Sequence, residues 1–382
     1  MGTTIRIPLI KPALGVAESA HVYKVINSGW VTQGPKVAEF ERAFAAYVGA
    51  EHAVAVSSCT TALHLALLAL GIKRGDEVIV PSHTFIATAN AVTYCGAVPV
   101  FVDIDRTTFN ITPESIASRI SSRTKAVLLV HQMGMPADID GVRKIADRYH
   151  LRLIEDAACA IGSEYKGRKI GSHSAAVCFS FHPRKVITTG DGGMITVRNE
   201  KLAKRLRLLR QHGMSVNDLA RHGSSKVIIE KYPIVGYNYR LTDIQAAVGI
   251  EQLKKLPRIL RKRKILAERY NKCFSDGFYL IPPVVPEYAD PNYQSYCAYV
   301  NPDREISREK LMQRLLDMGV ATRRGIMSIH REKPYRSVGK GADLVNSEYA
   351  SDNGIILPLY PQMTGTEHGY VIKSIKKAMD KK

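Results

Sequence analysis

The sequence predicts an α/β protein with a mostly parallel sheet that helices cover on both faces, followed by a smaller α+β domain. Two patterns in the 382 residues support this prediction. Short apolar runs alternate with helical patterns through the first half, which is the order that β-α-β crossovers require. After about residue 249 the pattern becomes mainly helical and then mixed. We therefore expect a large domain at 1–249 and a small domain at 250–382.

Each predicted strand of the large domain is a short apolar run, and helical periodicity follows most of them. The strands are expected at 53–56, 77–81, 98–102, 126–130, 151–155, 175–179 and 194–197. Helices are expected at 60–70, 87–94, 139–149 and 200–211, and after Thr112, where Pro113 suits the first helical position. The small domain is expected to contain a long helix at 242–274 with a kink at Pro257, a strand at 295–300 and a helix at 308–318.

Composition excludes some classes of protein but does not identify a partner. The hydrophobic content of 45% excludes a disordered chain, whereas 54 Lys and Arg against 35 Asp and Glu give a net charge of +19. That charge suits nucleic acid, an acidic membrane or a small anion equally well. The uncharged stretches at 53–72 and 78–102 contain polar residues and helix breakers, so we expect no membrane span.

Cysteine spacing and the N-terminus indicate the compartment. The 6 cysteines include no C-x-x-C pair, and no group of His, Cys and carboxylates has the spacing of a metal site. The first residues include no apolar core of a secretory signal. We therefore expect a cytoplasmic protein without a metal.

Two strand ends carry polar residues that could bind a ligand. The turn Ser-Ser-Cys-Thr-Thr at 57–61 lies between the first strand and a helix, where backbone amides and the helix dipole favour phosphate. These hydroxyls could equally serve only as helix caps. Asp156 ends a later strand and could pair with a protonated ring nitrogen or a metal, or cap a helix.

The segment 179–193 is the strongest candidate for chemistry. Lys185 lies between two strand-like runs and is followed by Thr-Thr-Gly-Asp-Gly-Gly at 188–193, whose glycines let the backbone approach a ligand closely. These surroundings lead us to expect that the Lys185 amine is buried. Burial would depress its pKa, and the amine could then form a Schiff base with an aldehyde.

Together these segments resemble the pyridoxal-phosphate-dependent sugar aminotransferases of the DegT/StrS family. The resemblance rests on collinear motifs over nearly the whole chain. They lie at 28–35, 57–61, 81–88, 156–158, 180–185, 190–193, 236–247 and 357–361. The resemblance implies the aspartate-aminotransferase-like fold, known as fold type I, and pyridoxal 5′-phosphate as cofactor.

The resemblance also implies roles for individual residues. Lys185 would bond to the cofactor aldehyde, and Asp156 would keep the pyridine nitrogen protonated. Phe85 would stack on the ring, while Ser180 and the Cys59-Thr60 turn would bind the phosphate. Asn238 would reach the same phosphate from a second subunit, which implies a homodimer with shared active sites.

One position departs from the family pattern. Cys159 stands where many members have Gln or His, and a thiol is a poor hydrogen-bond partner for the 3-oxygen of the cofactor. Lys185 itself matches the aminotransferases, because the dehydratase branch of the family has His at this position.

The sequence therefore predicts transfer of an amino group from L-glutamate to a ketosugar attached to a nucleoside diphosphate, giving an aminosugar. Candidate substrate contacts are Trp30, Thr32 and His330. One alternative is a ketocyclitol without a nucleotide. Another is a regulator or nucleic-acid-binding protein, suggested by the basic run at 254–264. We expect no nucleic acid, because an apolar helical stripe interrupts this run as on the solvated face of an amphipathic helix.

Overall fold

The computed structural model describes residues 6–216, 221 and 224–380, and its centre is a seven-stranded sheet. The two predicted domains begin at residue 1 and end at residue 382, but residues 1–5 and 381–382 lie outside the described part of the chain. The strands of this sheet are β1 (His52–Val56), β2 (Glu77–Pro81), β3 (Val98–Val102), β4 (Thr124–Val130), β5 (Arg152–Asp156), β8 (Ala176–Ser180) and β9 (Gly193–Val197). Two short strands of a separate sheet, β6 (Glu164–Tyr165) and β7 (Arg168–Lys169), lie between β5 and β8 along the chain. The order across the large sheet is β1-β9-β8-β5-β4-β2-β3.

Pairing in this sheet confirms the predicted mostly parallel arrangement. The strands β3, β2, β4, β5 and β8 pair in parallel, whereas β9 runs antiparallel to both β8 and β1. The antiparallel strand follows from chain length, because only the loop at 181–192 joins β8 to β9, without a crossover helix.

Helices cover both faces of the large sheet. They are α1 (Val16–Ser28), α2 (Pro35–Val48), α3 (Cys59–Ala69), α4 (Ala87–Tyr94), α5 (Pro113–Ala117), α6 (Ile139–Arg148), α7 (Glu200–Arg210) and α8 (Asp243–Cys273). Alternation along the strands divides the core: Val54 and Val78 pack with α3 and α7, whereas Ala55 and Ile79 pack with α2 and α8. The result is the predicted three-layer α/β/α arrangement.

The C-terminal part adds a second, antiparallel sheet. Its strands are β10 (Leu280–Ile281), β12 (Tyr296–Val300), β13 (Arg323–Arg324) and β14 (Gly354–Leu357), in the order β10-β12-β14-β13, while β11 (Ala289–Asp290) pairs with β6. Its helices are α9 (Arg308–Asp317), α10 (Val345–Asn353) and α11 (Gly365–Asp380). A separate cluster of buried residues, including Leu266, Tyr296 and Val371, forms the core here.

Helix α8 belongs to both halves of the molecule. It continues through Pro257, and its residues up to Ile259 pack on the core of the large sheet, whereas those from Leu266 pack on the second core. The division at 249 and 250 therefore falls inside one continuous helix and stays a prediction. None of the described helices is both long and apolar enough to cross a lipid bilayer.

Candidate active site

A cleft of about 320 Å³ lies at the carboxyl ends of the parallel strands. Parallel sheets bind ligands at this edge because loops and helix N-termini converge there. The large sheet contributes Asp156 and Ser180, and strand β13 of the second sheet contributes Arg323 and Arg324, followed in the lining by residues 325–327. Seven residues predicted from sequence meet in this cleft. They are Cys59, Thr60, Phe85, Asp156, Cys159, Ser180 and Lys185.

The N-terminus of α3 opens into the cleft through the Cys59-Thr60 turn. Ser58 caps the helix by accepting a hydrogen bond from the Thr61 amide at 3.2 Å, so the cap does not occupy the Cys59 and Thr60 amides. The Cys59 and Thr60 amides lie in the first helical turn, where no intrahelical acceptor exists. Gly193 packs against the turn so closely that a Cβ would lie 2.5 Å from the Ser58 carbonyl oxygen. A glycine is required at this contact.

Asp156 is buried at the end of β5. Its carboxylate accepts hydrogen bonds from the Thr88 hydroxyl at 2.9 Å and from the Ala158 amide at 3.1 Å. Burial raises the pKa of Asp156; these two bonds and the charge of Lys185 lower it, but the pKa still ends above that of an ordinary aspartate. A cationic group beside this carboxylate would favour its charged form.

Lys185 lies in the loop between β8 and β9. The loop folds back on Phe181, whose carbonyl oxygen accepts hydrogen bonds from the Thr188 hydroxyl at 2.7 Å and the Thr189 amide at 3.0 Å. Phe181 in turn packs against Phe40, with ring centroids 5.3 Å apart. This apolar anchor fixes the loop, and the Lys185 side chain extends into the cleft.

The Lys185 ammonium donates a hydrogen bond to the Cys159 sulfur at 3.2 Å. Burial lowers the pKa of Lys185, but Cys159 beside it, together with Cys59 and Asp156, raises it, and the pKa lies above that of an ordinary lysine. The sequence-based expectation of a depressed pKa is therefore wrong for the chain without a bound ligand. The reason is that the anionic and sulfur neighbours outweigh the desolvation.

A second buried carboxylate lies directly before Asp156 in β5. Glu155 accepts a hydrogen bond from His131 Nε2 at 2.8 Å, and His131 Nδ1 accepts one from the Ala137 amide at 3.1 Å. The proton of the neutral imidazole is therefore on Nε2. Burial raises the pKa of Glu155, but the bond from His131 lowers it, with a net decrease. The His131 amide also donates to the Asp156 carbonyl oxygen at 3.1 Å, which ties this pair to the cleft.

Phe85 and Ser180 line the cleft from different elements. Phe85 precedes α4, and half of its side chain is exposed, which is unusual for a phenylalanine and leaves a ring face free for stacking. Ser180 ends β8, opposite Gly193 of β9, and its hydroxyl is 3.4 Å from the His182 amide.

Four predicted site residues do not line this cleft. Trp30 folds over Gly34 and donates to the Gln33 carbonyl oxygen at 3.2 Å, and Thr32 is exposed. The His330 ring lies between two polar groups: its Nδ1 is 2.6 Å from the Ser82 hydroxyl oxygen, and its Nε2 is 2.9 Å from the Glu348 carboxylate. Their role in substrate binding stays a prediction.

Asn238 is the fourth of these residues, and it is exposed at the surface. Its neighbours fix it beside the end of α7: the Tyr237 amide donates to the Leu209 carbonyl oxygen at 2.7 Å, and the Tyr239 amide to that of Arg210 at 3.0 Å. An exposed position away from its own cleft is what a contact with a second subunit requires.

Sequence reasoning missed several residues of the cleft. Thr88 falls inside the quoted motif at 81–88 and lies in the first turn of α4, with its hydroxyl 3.2 Å from that of Thr84; its place inside the motif was the available signal. Arg184 is adjacent to Lys185, whereas Arg323 and Arg324 come from the distant edge strand β13. No local pattern could place that strand against the large sheet.

Comparison with known proteins identifies the family. The model of the DegT/DnrJ/EryC1/StrS aminotransferase family matches residues 12–376, and the chain belongs to this family. It is therefore a pyridoxal-phosphate-dependent aminotransferase.

Three similar proteins illustrate the relationship. An uncharacterized protein of Methanocaldococcus jannaschii, MJ1066, is 40% identical over 374 residues, which cover 97% of each protein. Spr1654 from Streptococcus pneumoniae is provisionally described as a sugar aminotransferase, and its structure in the pyridoxal phosphate (PLP) form is 29% identical to this chain with a TM-score of 0.90. The match covers 98% of this chain and 99% of that one. Helicobacter pylori PseC, an aminotransferase involved in the biosynthesis of pseudoaminic acid, is 28% identical with a TM-score of 0.90 and the same coverage.

The cleft suits pyridoxal phosphate. The free amides of Cys59 and Thr60 at a helix N-terminus match a phosphate, and the half-exposed Phe85 offers a face for an aromatic ring. The buried Asp156 carboxylate matches a protonated ring nitrogen, which would remove the cost of its isolated charge. The Lys185 amine is available to an aldehyde in the same cavity.

Proposed function

We propose that this aminotransferase moves an amino group from L-glutamate to a ketosugar linked to a nucleoside diphosphate, and that it works as a homodimer. The observation that carries the proposal is the convergence of Lys185, Asp156 and the Cys59-Thr60 turn in one cleft. When bound, pyridoxal phosphate supplies an aldehyde that bonds to amines and a ring that withdraws electrons.

Lys185 would act as both covalent anchor and acid/base. Its Nζ would accept the proton that leaves the α-carbon of the amino donor, and would later return a proton to the sugar carbon that receives the amine. The loop anchored on Phe181 limits where this amine can move. One lysine in a fixed loop would therefore serve both half-reactions.

Asp156 would hold a proton on the pyridine nitrogen. Thr88 and Ala158 already orient its carboxylate toward the cleft, so little reorganisation would accompany cofactor binding. Ser180 and the amides of Cys59 and Thr60 would bind the phosphate, and Phe85 would cover one face of the ring.

Positive charge around the cleft supports an anionic sugar substrate. Arg184, Arg323 and Arg324 line the opening, and among the described lining residues only Asp156 and Asp191 are acidic. A diphosphate group would gain from this field, both in affinity and in encounter rate. The sugar itself is proposed from the two similar structures, one provisionally described as a sugar aminotransferase and one involved in pseudoaminic acid synthesis.

A segment before Asn238 supports the homodimer. Val227 is 93% exposed and Val235 is 87% exposed, with Ile229 at 82% between them. Apolar side chains in such a row are costly in water and are typical of a surface that another protein covers. A second copy of the chain on this segment would bring its own Asn238 toward the cleft of the first.

The basic run at 254–264 gives little support to nucleic-acid binding. Lys254 and Lys255 pair with Glu251 and Glu18 at 2.7 and 2.6 Å. Other cations of the run are also engaged: Lys264 pairs with Asp290, and Arg263 is buried. These cations have partners inside the molecule, and phosphate contacts would need them free.

The test is a panel of ketosugars, with and without a nucleoside diphosphate, and ketocyclitols, each incubated with L-glutamate and pyridoxal phosphate and read by product mass. We expect an aminated product only from nucleotide-linked ketosugars, and no multiple turnover from Lys185→Ala. Amination of the cyclitols alone would contradict the proposed substrate. Full activity of Lys185→Ala would contradict the role of the lysine.

The molecular mass in solution and the activity of mixed subunits test the proposed dimer. Asn238→Ala protein mixed with Lys185→Ala protein should regain activity, because one of the two clefts in a mixed dimer would contain both intact residues. A monomer that is fully active at every concentration would contradict shared sites.

A further inference from the structure

Within the cleft, a thiol and an amine are in direct contact. The Nζ atom of Lys185 lies 3.2 Å from the Sγ atom of Cys159, and both side chains line the cavity. Cys159 is partly exposed, so small solutes can reach its sulfur. Oxidants attack a cysteine at its sulfur as the thiolate, and the amine that could trap the oxidised sulfur is already within hydrogen-bond distance of it.

The neighbouring thiols differ from Cys159. Cys59 and Cys178 are buried, and burial raises the pKa of both well above the ordinary value for cysteine. A buried thiol that stays protonated reacts slowly. Cys159 is therefore the accessible thiol beside Lys185, whereas Cys59 and Cys178 are shielded by burial.

We propose that Cys159 and Lys185 form an oxidation-sensitive pair that becomes a covalent sulfur–nitrogen bond in the presence of a peroxide. In the first step the Cys159 thiolate attacks hydrogen peroxide, the O–O bond breaks, sulfenic acid forms and hydroxide leaves. In the second step that hydroxide takes a proton from the Lys185 ammonium, the resulting amine attacks the sulfur, the S–O bond breaks and water leaves with a further proton from nitrogen. Peroxide is reduced by two electrons, and the thiol and amine together lose two hydrogens.

This modification goes beyond the proposed function and does not depend on the identity of the sugar. It would remove the amine on which transamination depends, and a thiol reductant would restore it, because thiolates cleave sulfur–nitrogen bonds of this kind. Gln or His, the residues that the family pattern usually has here, could not form the bond. Cys159 thus gives this chain a reversible chemical lock on its own lysine.

Tryptic mapping can identify the bond without ambiguity. Trypsin releases Cys159 in peptide 153–166, and a blocked Lys185 would survive in peptide 185–198, which contains no cysteine. After treatment of the full chain, freed of cofactor, with hydrogen peroxide, we expect a species with the mass of both peptides less two hydrogens. No disulfide can join these two peptides. Reduction should release them again.

Variants and cofactor loading provide the controls. The species should be absent from Cys159→Ser and persist in Cys178→Ser, with folding of each variant verified by circular dichroism. Chain loaded with pyridoxal phosphate should form it about tenfold more slowly, because Lys185 is then engaged. The proposal is overturned if peroxide leaves 185–198 unlinked while Cys159 becomes sulfinic acid or forms a disulfide with Cys59 in peptide 43–73.

Discussion

Thr88 is a positioning residue for Asp156, since its hydroxyl donates to the carboxylate at 2.9 Å. We predict that Thr88→Val lowers kcat about tenfold or more, because a hydrogen bond to a charged group contributes about 1.5–3 kcal/mol. The bond lowers the pKa of Asp156, so its loss should keep Asp156 protonated to higher pH. The pH at which the visible absorbance of the bound cofactor changes should then rise. Thr88→Ser should restore both values, and an unchanged pH profile in Thr88→Val would contradict the role.

Cys159 shows how a single residue can change the chemistry of a site that is otherwise predictable. The motifs placed Lys185, Asp156 and Ser180 in one site, because residues at the carboxyl ends of parallel strands meet at one edge. They could not indicate that a sulfur 3.2 Å away would help to raise the pKa of the lysine rather than leave it depressed. Burial alone is visible in a sequence pattern, whereas the partner of a buried charge depends on tertiary contacts.

Helix α8 joins the two cores, and its Arg263 holds the backbone of Gln294, a residue that lines the cleft. Its side chain is 1% exposed and donates to the Tyr293 carbonyl oxygen at 2.9 Å and to that of Gln294. Burial lowers the pKa of Arg263 to about 9. The sequence-based interpretation of this run as a solvated face is therefore wrong at Arg263, since the guanidinium satisfies backbone carbonyls between two elements.

The hydrogen bonds of Arg263 should contribute measurably to the stability of the fold. Arg263→Met should reduce the free energy of unfolding by about 3 kcal/mol, because it leaves two buried carbonyl oxygens without donors. Arg261→Met, at an exposed position on the same helix, should change it by less than about 0.5 kcal/mol. Urea unfolding of both variants measures the difference. Equal stabilities would mean that the basic run acts only through its overall charge.

Most elements were predictable where a local rule fixes them, and the remainder depend on distant pairing. Thr112 does cap α5, with Pro113 at its first position, and α7 and α9 begin at the predicted residues, Glu200 and Arg308. The order β1-β9-β8 was not predictable, because no periodicity encodes which strand lies beside which. The same holds for β13, whose two arginines enter the cleft only through its pairing with β14.

At the scale of the whole molecule, buried histidines make folding sensitive to acid. His83 and His368 are buried, and burial lowers the pKa of each from 6.5 to about 4. Neither ring nitrogen of His83 has a hydrogen-bond partner among the described residues. As the pH falls below 6.5, the unfolded chain binds protons that the folded chain does not, so stability is lost progressively down to about pH 4.

We therefore predict that His83→Leu reduces the loss of stability between about pH 7.5 and pH 5 by about 2 kcal/mol, from the difference in proton binding of this one group. Urea unfolding at the two pH values measures it, with the cofactor-free chain used throughout. His150→Asn is the matched control: His150 is exposed with a φ of 54°, a conformation that asparagine tolerates, so its removal should leave the pH dependence unchanged. This loss of folding stability depends on the burial of His83 and not on Lys185, so the Lys185→Ala variant should show it to the same extent. If the loss disappeared in Lys185→Ala, the acid sensitivity would belong to the active site instead.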